Sequence, residues 1–257
     1  MTPTPIVLIH GFSATPIIWP SILPRLPPEH KTLAIVLDGH AGGVPIAPGK
    51  VSVAALADGV ERDMDTVGFT QANIIGNSLG GWLALELARR GRASSVIAIA
   101  PGGSWQPESS EARELRAHLV RNGKVARRWL PLLTSAVRSS RLRHLVFAGM
   151  VAHGERIPMT VAVEMLRASA HCPVHSELID AMFAPGSGLD VAGINGPVLL
   201  LWGSDDRLTP KETYGRRVRA RLSYAEWREL PGTGHIPMFD APGTVANTIS
   251  QFIKEQE

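Results

Sequence analysis

Three short stretches, far apart in the chain, carry the side-chain types that acyl-transfer chemistry needs. Residues 74–81 read IIGNSLGG, which sets Ser78 between Gly76 and Gly80 where a branched apolar run gives way to a helical pattern. A serine hydroxyl is a useful nucleophile only when a base removes its proton, and that base needs a third group to fix its tautomer. Residues 199–210, LLLWGSDDRLTP, supply two carboxylates, Asp205 and Asp206, just past an apolar run. Residues 229–242, ELPGTGHIPMFDAP, place His235 in a glycine-rich loop. Taken alone, the G-x-S-x-G pattern also describes a serine that caps a helix after a strand, so its meaning depends on the other two stretches.

The elements that would position these groups follow from hydrophobic spacing. PIVLIHG (5–11), TLAIVLD (32–38), ANIIG (72–76), SVIAIA (95–100) and PVLLLW (197–202) are continuous apolar runs of the kind buried on both faces of a parallel sheet, and 225–230 reads as a further strand. Between them, Val53, Leu56, Ala57, Val60, Met64 and Val67 recur at helical spacing behind a capping Ser52. Leu79, Trp82, Leu83 and Leu87 form a second stripe closed by Gly91. Thr209, Pro210 and Glu212 read as a capping box, and Val245, Ile249, Phe252 and Ile253 line a last helix. Such alternation predicts an α/β fold: a mostly parallel central sheet with helices on both faces and ligands at the carboxyl ends of the strands. The alternation stops between about 104 and 195. There only helical stretches are found: 111–121 ended by Asn122 and Gly123, 142–151, 160–170 and 176–183. We read 104–195 as a helical cap inserted into a core formed by 1–103 and 196–257.

With these motifs in place, HGF (10–12), LDGH (37–40), GNSLGG (76–81), WGSDDRLTP (202–210) and GHIPMFDAP (234–242) closely resemble the α/β-hydrolase superfamily, as does the chain order Ser, Asp, His. The resemblance spans nearly everything except the cap. It implies Ser78 as nucleophile, His235 as base and Asp206 as acid, because the W-G-x-x-D-x-x-x-P spacing falls on Asp206 and Pro210, with Asp205 the alternative acid. It implies an oxyanion hole formed by the backbone N–H groups of Phe12 and Leu79, while His10 braces its loop and Asp38 serves a turn. Family members usually begin with an antiparallel hairpin, whereas here only a few residues precede Ile6.

Composition narrows the remaining classes. The 257 residues are 44% hydrophobic, enough for one large core, yet no run approaches the eighteen or so apolar residues of a membrane span, and no secretory leader is visible. We expect a soluble, cytoplasmic protein without stable membrane insertion, to which the single Cys172 is suited. The cations between Arg113 and Arg143 (Arg116, Arg121, Lys124, Arg127, Arg128, Arg138 and Arg141 among them) could form a landing site for an anionic substrate or surface, but a solvated helix face is the preferred reading, since no nucleic-acid motif or interleaved aromatic platform accompanies them. His171, Cys172 and His175 lack a second ligand cluster and are broken by Pro173, which argues against a metal site. Met150, Met159, Met165 and Met182 could line an adaptable apolar pocket, but ordinary cap core is the preferred reading.

The expected reaction is cofactor-free and metal-free hydrolysis of a small to medium apolar carboxylic ester through an acyl-enzyme. Carbon–carbon hydrolysis of the meta-cleavage-product type is the alternative that GNSLGG suggests, although FSATP replaces the glycine-rich loop such enzymes carry after HG. A thioesterase or acyltransferase would suit the basic cap. Epoxide hydrolase and haloalkane dehalogenase are disfavoured by serine, in place of aspartate, at the elbow. A ligand-binding receptor with a slow triad is the reading from outside enzymology.

Overall fold

The branched apolar runs become one sheet. A computed structural model describes residues 3–106 and 108–256, with strands β1 (Ile6–Ile9), β2 (Thr32–Ile35), β3 (Ala72–Asn77), β4 (Ala93–Ile99), β5 (Val198–Gly203) and β6 (Glu226–Leu230). Their order is β2-β1-β3-β4-β5-β6, and every pairing is parallel. The period of two along β1 sends Val7 and Ile9 into one apolar cluster and Ile6 and Leu8 into another, so the sheet has a core on each face. The described residues contain no antiparallel strand.

The helices among the described residues are α1 (Val53–Thr66), α2 (Leu79–Arg89), α3 (Ser110–Ala136), α4 (Ser140–Phe147), α5 (Met159–Ala170), α6 (His175–Met182), α7 (Arg216–Arg221), α8 (Pro237–Asp240) and α9 (Pro242–Lys254). Leu56, Val60 and Met64 of α1 and Leu83 and Leu87 of α2 fill one core; Val245, Ile249 and Phe252 of α9 fill the other. Ser52 caps α1 as expected, its Oγ accepting from the Ala55 N–H at 3.0 Å.

Three sequence readings change. The Asn122-Gly123 pair does not end a helix: α3 runs through it to Ala136. Gly123 is needed for close approach instead, because a Cβ there would stand 2.1 Å from Nε2 of His175. The helix bends at Trp129 (φ −116°, ψ 16°), two residues before Pro131, whose ring cannot fit against the preceding turn. The Thr209–Glu212 box does not cap either. Pro210 precedes a single wide turn, Lys211–Gly215, which leads into α7, and Thr209 is engaged elsewhere. In the cap, Met165 and Met182 are buried as expected, but Met159 lies exposed.

Helices α3 to α6 all fall between β4 and β5, and the block they form fits a cap. Its ties land on segments that follow the carboxyl ends of strands. His175 Nδ1 meets Ser13 Oγ at 2.9 Å, and the Val174 N–H donates to the Gly39 carbonyl. Tyr214 Oη donates to the Glu111 carbonyl at 3.2 Å, and the Ile236 N–H to that of Met150 at 2.9 Å. The block therefore roofs the edge of the sheet where an α/β fold places its ligands. Among the described residues, no helix is long and apolar enough to cross a membrane.

Candidate active site

Ser78 sits at the turn between β3 and α2 with φ 59° and ψ −116°, a region that L-residues rarely enter. Glycines make that turn possible. A Cβ on Gly76 would stand 2.0 Å from the Gly80 carbonyl oxygen, and one on Gly80 would stand 2.1 Å from that of Ile9. The Ser78 N–H donates to the Ile99 carbonyl, but its Oγ makes no cap bond to α2. That disposes of the helix-capping alternative, since a capping serine is extended and its oxygen accepts from the first turn. The Phe12 and Leu79 amides donate no hydrogen bond among the described residues, and a Cβ on Gly11, beside Phe12, would stand 3.3 Å from Ser78 Cβ.

Holding a serine at positive φ costs about 1–3 kcal/mol. Glycine removes that strain while adding about 0.5–1 kcal/mol of chain entropy to the unfolded state. Ser78→Gly is therefore expected to raise the thermal midpoint by about 2–4 °C per net kcal/mol gained while removing the hydroxyl. Calorimetry showing no gain, or a loss, would mean that the turn is unstrained.

Asp206 and His235 come together. The His235 Nδ1–H donates to Asp206 Oδ2 at 2.8 Å, with both side chains buried. Asp206 Oδ1 accepts from the Leu208 and Thr209 amides at 2.9 and 2.8 Å, and Oδ2 from the Thr209 hydroxyl at 2.9 Å. Asp205, by contrast, is exposed: its N–H donates to the Thr233 carbonyl, and among the described residues its carboxylate accepts only from Ser204 Oγ, its immediate neighbour. His235 Nε2 is buried and has no partner among the described residues, and Ser78 Oγ makes no hydrogen bond to it. The two segments are nevertheless stitched together: Asn77 Nδ2 donates to the His235 carbonyl at 2.9 Å.

Three polar residues that the sequence reading did not assign to the site hold this arrangement. They are Asn77, Thr209 and Asp240. The buried Asp240 carboxylate accepts from the Gly234 amide at 2.8 Å and from those of Ala152 and His153 at 3.1 and 2.7 Å, fastening the histidine loop to the segment after α4. For Thr209 the only sequence signal is its place in the LTP that follows the acid.

The other candidates take structural parts. His10 is fully buried, its Nδ1–H donating to the Gly11 carbonyl and its Nε2 accepting from the Leu37 amide, which suits a neutral ring bracing the loop. Asp38 is paired through both oxygens with Arg62. In the HCPVH segment His171 is exposed while Cys172 and His175 are buried, and no described side chains cluster in a way that would hold a metal ion. His175 instead bridges two parts of the molecule. Its ring lies 4.9 Å from that of Phe12, Nδ1 meets Ser13, and Nε2 faces α3 at Gly123.

Burial, reinforced by the neighbouring His40, pushes the His10 imidazole down to about 3. Burial likewise pushes His40 down to about 4, with His175 adding to the fall and the Asp38 carbonyl and carboxylate opposing it. Both rings stay neutral in the folded chain and would protonate near 6.5 when unfolded. Their contribution to stability is thus whole above that value and is lost as pH falls from it towards 4 and then 3. The guanidinium midpoint is expected to drop steadily between about pH 7 and pH 4, and His40→Asn should flatten part of the slope. A midpoint constant across that window would contradict buried neutral histidines.

Comparison with known proteins agrees with the architecture. A profile of the alpha/beta hydrolase family matches residues 6–248. The chain is 33% identical over 217 residues to epoxide hydrolase EphH of Mycobacterium tuberculosis, covering 80% of this chain and 96% of that one. It is 26% identical over 257 residues to a pimeloyl-acyl-carrier protein methyl ester esterase of Neisseria meningitidis, covering 97% and 92%. The structure of a thermophilic esterase from Thermogutta terrifontis superposes with a TM-score of 0.77 at 21% identity over 99% of this chain and 91% of that one, a likeness of fold. With an elbow serine on a parallel sheet and a family profile spanning nearly its whole length, the chain belongs to the alpha/beta hydrolase family.

Proposed function

We propose that the protein is a serine hydrolase that cleaves small to medium apolar carboxylic esters through an acyl-enzyme. The observation that carries this reading is the buried Asp206–His235 pair, whose outward nitrogen is unpartnered, stitched by Asn77 to an elbow serine whose hydroxyl caps nothing. Ser78 Oγ attacks the ester carbonyl as His235 Nε2 takes its proton. The Phe12 and Leu79 amides receive the oxyanion, and the Leu79 amide also lies at the positive end of α2. His235 returns the proton to the departing alcohol, then activates the water that releases the acid. Asp206 fixes the tautomer. The open Ser78–His235 contact is compatible with this sequence, because such bonds commonly tighten only when substrate is bound.

In this reading residues 104–195 form the cap that sets substrate size, and 1–103 with 196–257 form the core. The substrate is a small molecule, with no nucleic acid or cofactor involved. The buried, unpaired Cys172 is consistent with a cytoplasmic setting. Esterase chemistry in the Neisseria relative supports the ester bond as target. The epoxide hydrolase name of the Mycobacterium relative favours a second reading, but alkoxide attack on an epoxide would give a dialkyl ether. That ether has no carbonyl for water to attack, so Ser78 would be trapped after one turnover.

Labelling with a fluorophosphonate followed by peptide mapping tests the proposal. We expect modification at Ser78 and turnover of p-nitrophenyl esters. Labelling elsewhere, or diol formation from an epoxide that survives Ser78→Ala, would overturn it.

A further inference from the structure

The basic stretch of the helical block presents apolar side chains to solvent as well as cations. From Leu115 to Gly154 the sequence contains eight Lys and Arg and no Asp or Glu, while the rest of the chain holds the remaining 18 cations against all 23 acids. Arg143 is buried on backbone carbonyls and Arg116 pairs with Asp180. Lys124, Arg128, Arg138 and Arg141 are exposed and make no ion pair among the described residues.

Large apolar side chains stand out among these cations. Val125, Trp129 and Leu132 recur at the spacing of one helix face of α3, and their exposures of 42%, 49% and 62% show that this face turns outward. The bend before Pro131 lifts Trp129 where Arg128 lies 4.9 Å over its ring. Past the turn at 137–139, α4 continues the pattern with Leu142 and Leu145 exposed at 45% and 68% beside Arg141.

We propose that this face, centred on Trp129, docks on an anionic lipid surface, with the indole and the leucines entering the headgroup boundary and the arginines meeting lipid phosphates. Apolar side chains interspersed with cations, with an interfacial tryptophan and no acid within the stretch itself, suit a bilayer surface better than other occupants, although Glu164 of α5 borders the face beside Arg138. A second copy of the chain would set two cationic faces against each other. An acidic protein would satisfy the arginines and leave the protruding leucines without an apolar phase. Docking here presses the helical block against the lipid, so an apolar ester could pass from bilayer to block without crossing bulk water.

The test is sedimentation of the full chain with phosphatidylglycerol-containing and pure phosphatidylcholine vesicles at low and high salt. We expect binding to the anionic vesicles only, weakened by salt. Arg128→Gln, Arg138→Gln and Arg141→Gln together should reduce it on the order of a hundredfold, about fivefold per cation. Trp129→Ala with Leu132→Ser should weaken it without changing hydrolysis of a water-dissolved ester. Ser78→Ala should bind as the parent does, which separates this proposal from the catalytic one. Equal binding to both vesicle types, none at low salt, indifference to these substitutions, or association with an acidic carrier protein but with no vesicle would overturn it.

Discussion

Ser78→Ala is expected to lower kcat for p-nitrophenyl esters by about 10⁶-fold, leaving only what binding and the two amides supply. Alanine keeps the Cβ, so it keeps the same strained turn at φ 59°, and Oγ contributes no hydrogen bond that the fold would miss. Thermal stability should therefore stay close to that of the parent, and lost activity cannot be blamed on lost structure. Steady-state kinetics beside calorimetry on the same sample make the comparison. A variant that folds and still turns over would remove Ser78 from the reaction.

Asp206→Asn should cost about 10⁴-fold in kcat, by analogy with the same change in a serine protease. Here the hydrogen bonds dictate how. Oδ1 accepts from the Leu208 and Thr209 amides, so the asparagine must keep its carbonyl oxygen there and turn its NH₂ towards His235. His235 Nδ1 then faces a donor and becomes the acceptor, which moves the proton to Nε2, the nitrogen that should take the proton from serine. KM should change little, since Asp206 is buried and engaged by His235, Leu208 and Thr209. Asp205→Asn is the matched control: its carboxylate is exposed and among the described residues is hydrogen-bonded only to Ser204, so the rate should stay within about twofold, the scale of a surface change. Equal losses in the two variants would contradict the pairing seen here.

The strands were legible because β1 and β5 are buried on both faces, which gives unbroken apolar runs too short for a helix, and because β3 keeps the branched pair Ile74-Ile75 between its buried asparagines. The Ser78, Asp206 and His235 segments stood out because each carries its own local pattern of glycines or prolines. Thr209 was hidden for a physical reason. T-P-x-E offers the hydroxyl an equally good local use as a helix cap, and only the approach of His235 from 26 residues away decides otherwise. Asp240 was hidden because its partners at 152 and 153 are backbone amides, which leave no mark in a sequence. The continuity of α3 was misread because Asn-Gly usually ends a helix, whereas this glycine answers to a ring on α6. The outward-facing Trp129 was obscure as well, because tryptophan is usually buried and its exposure follows from a bend that only the packed helix reveals.

The bridge made by His175 bears on anyone who would transplant this helical block onto a related scaffold. One imidazole touches Phe12 and Ser13 on the recipient side and leaves no room for a methyl group at position 123 on the donor side. A graft cut at the chain boundaries near 103 and 196 would leave behind half of that joint. The unit that must travel together is discontinuous, Phe12 and Ser13 with Gly123 and His175, and chimeras that respect it should outperform those drawn along the sequence alone.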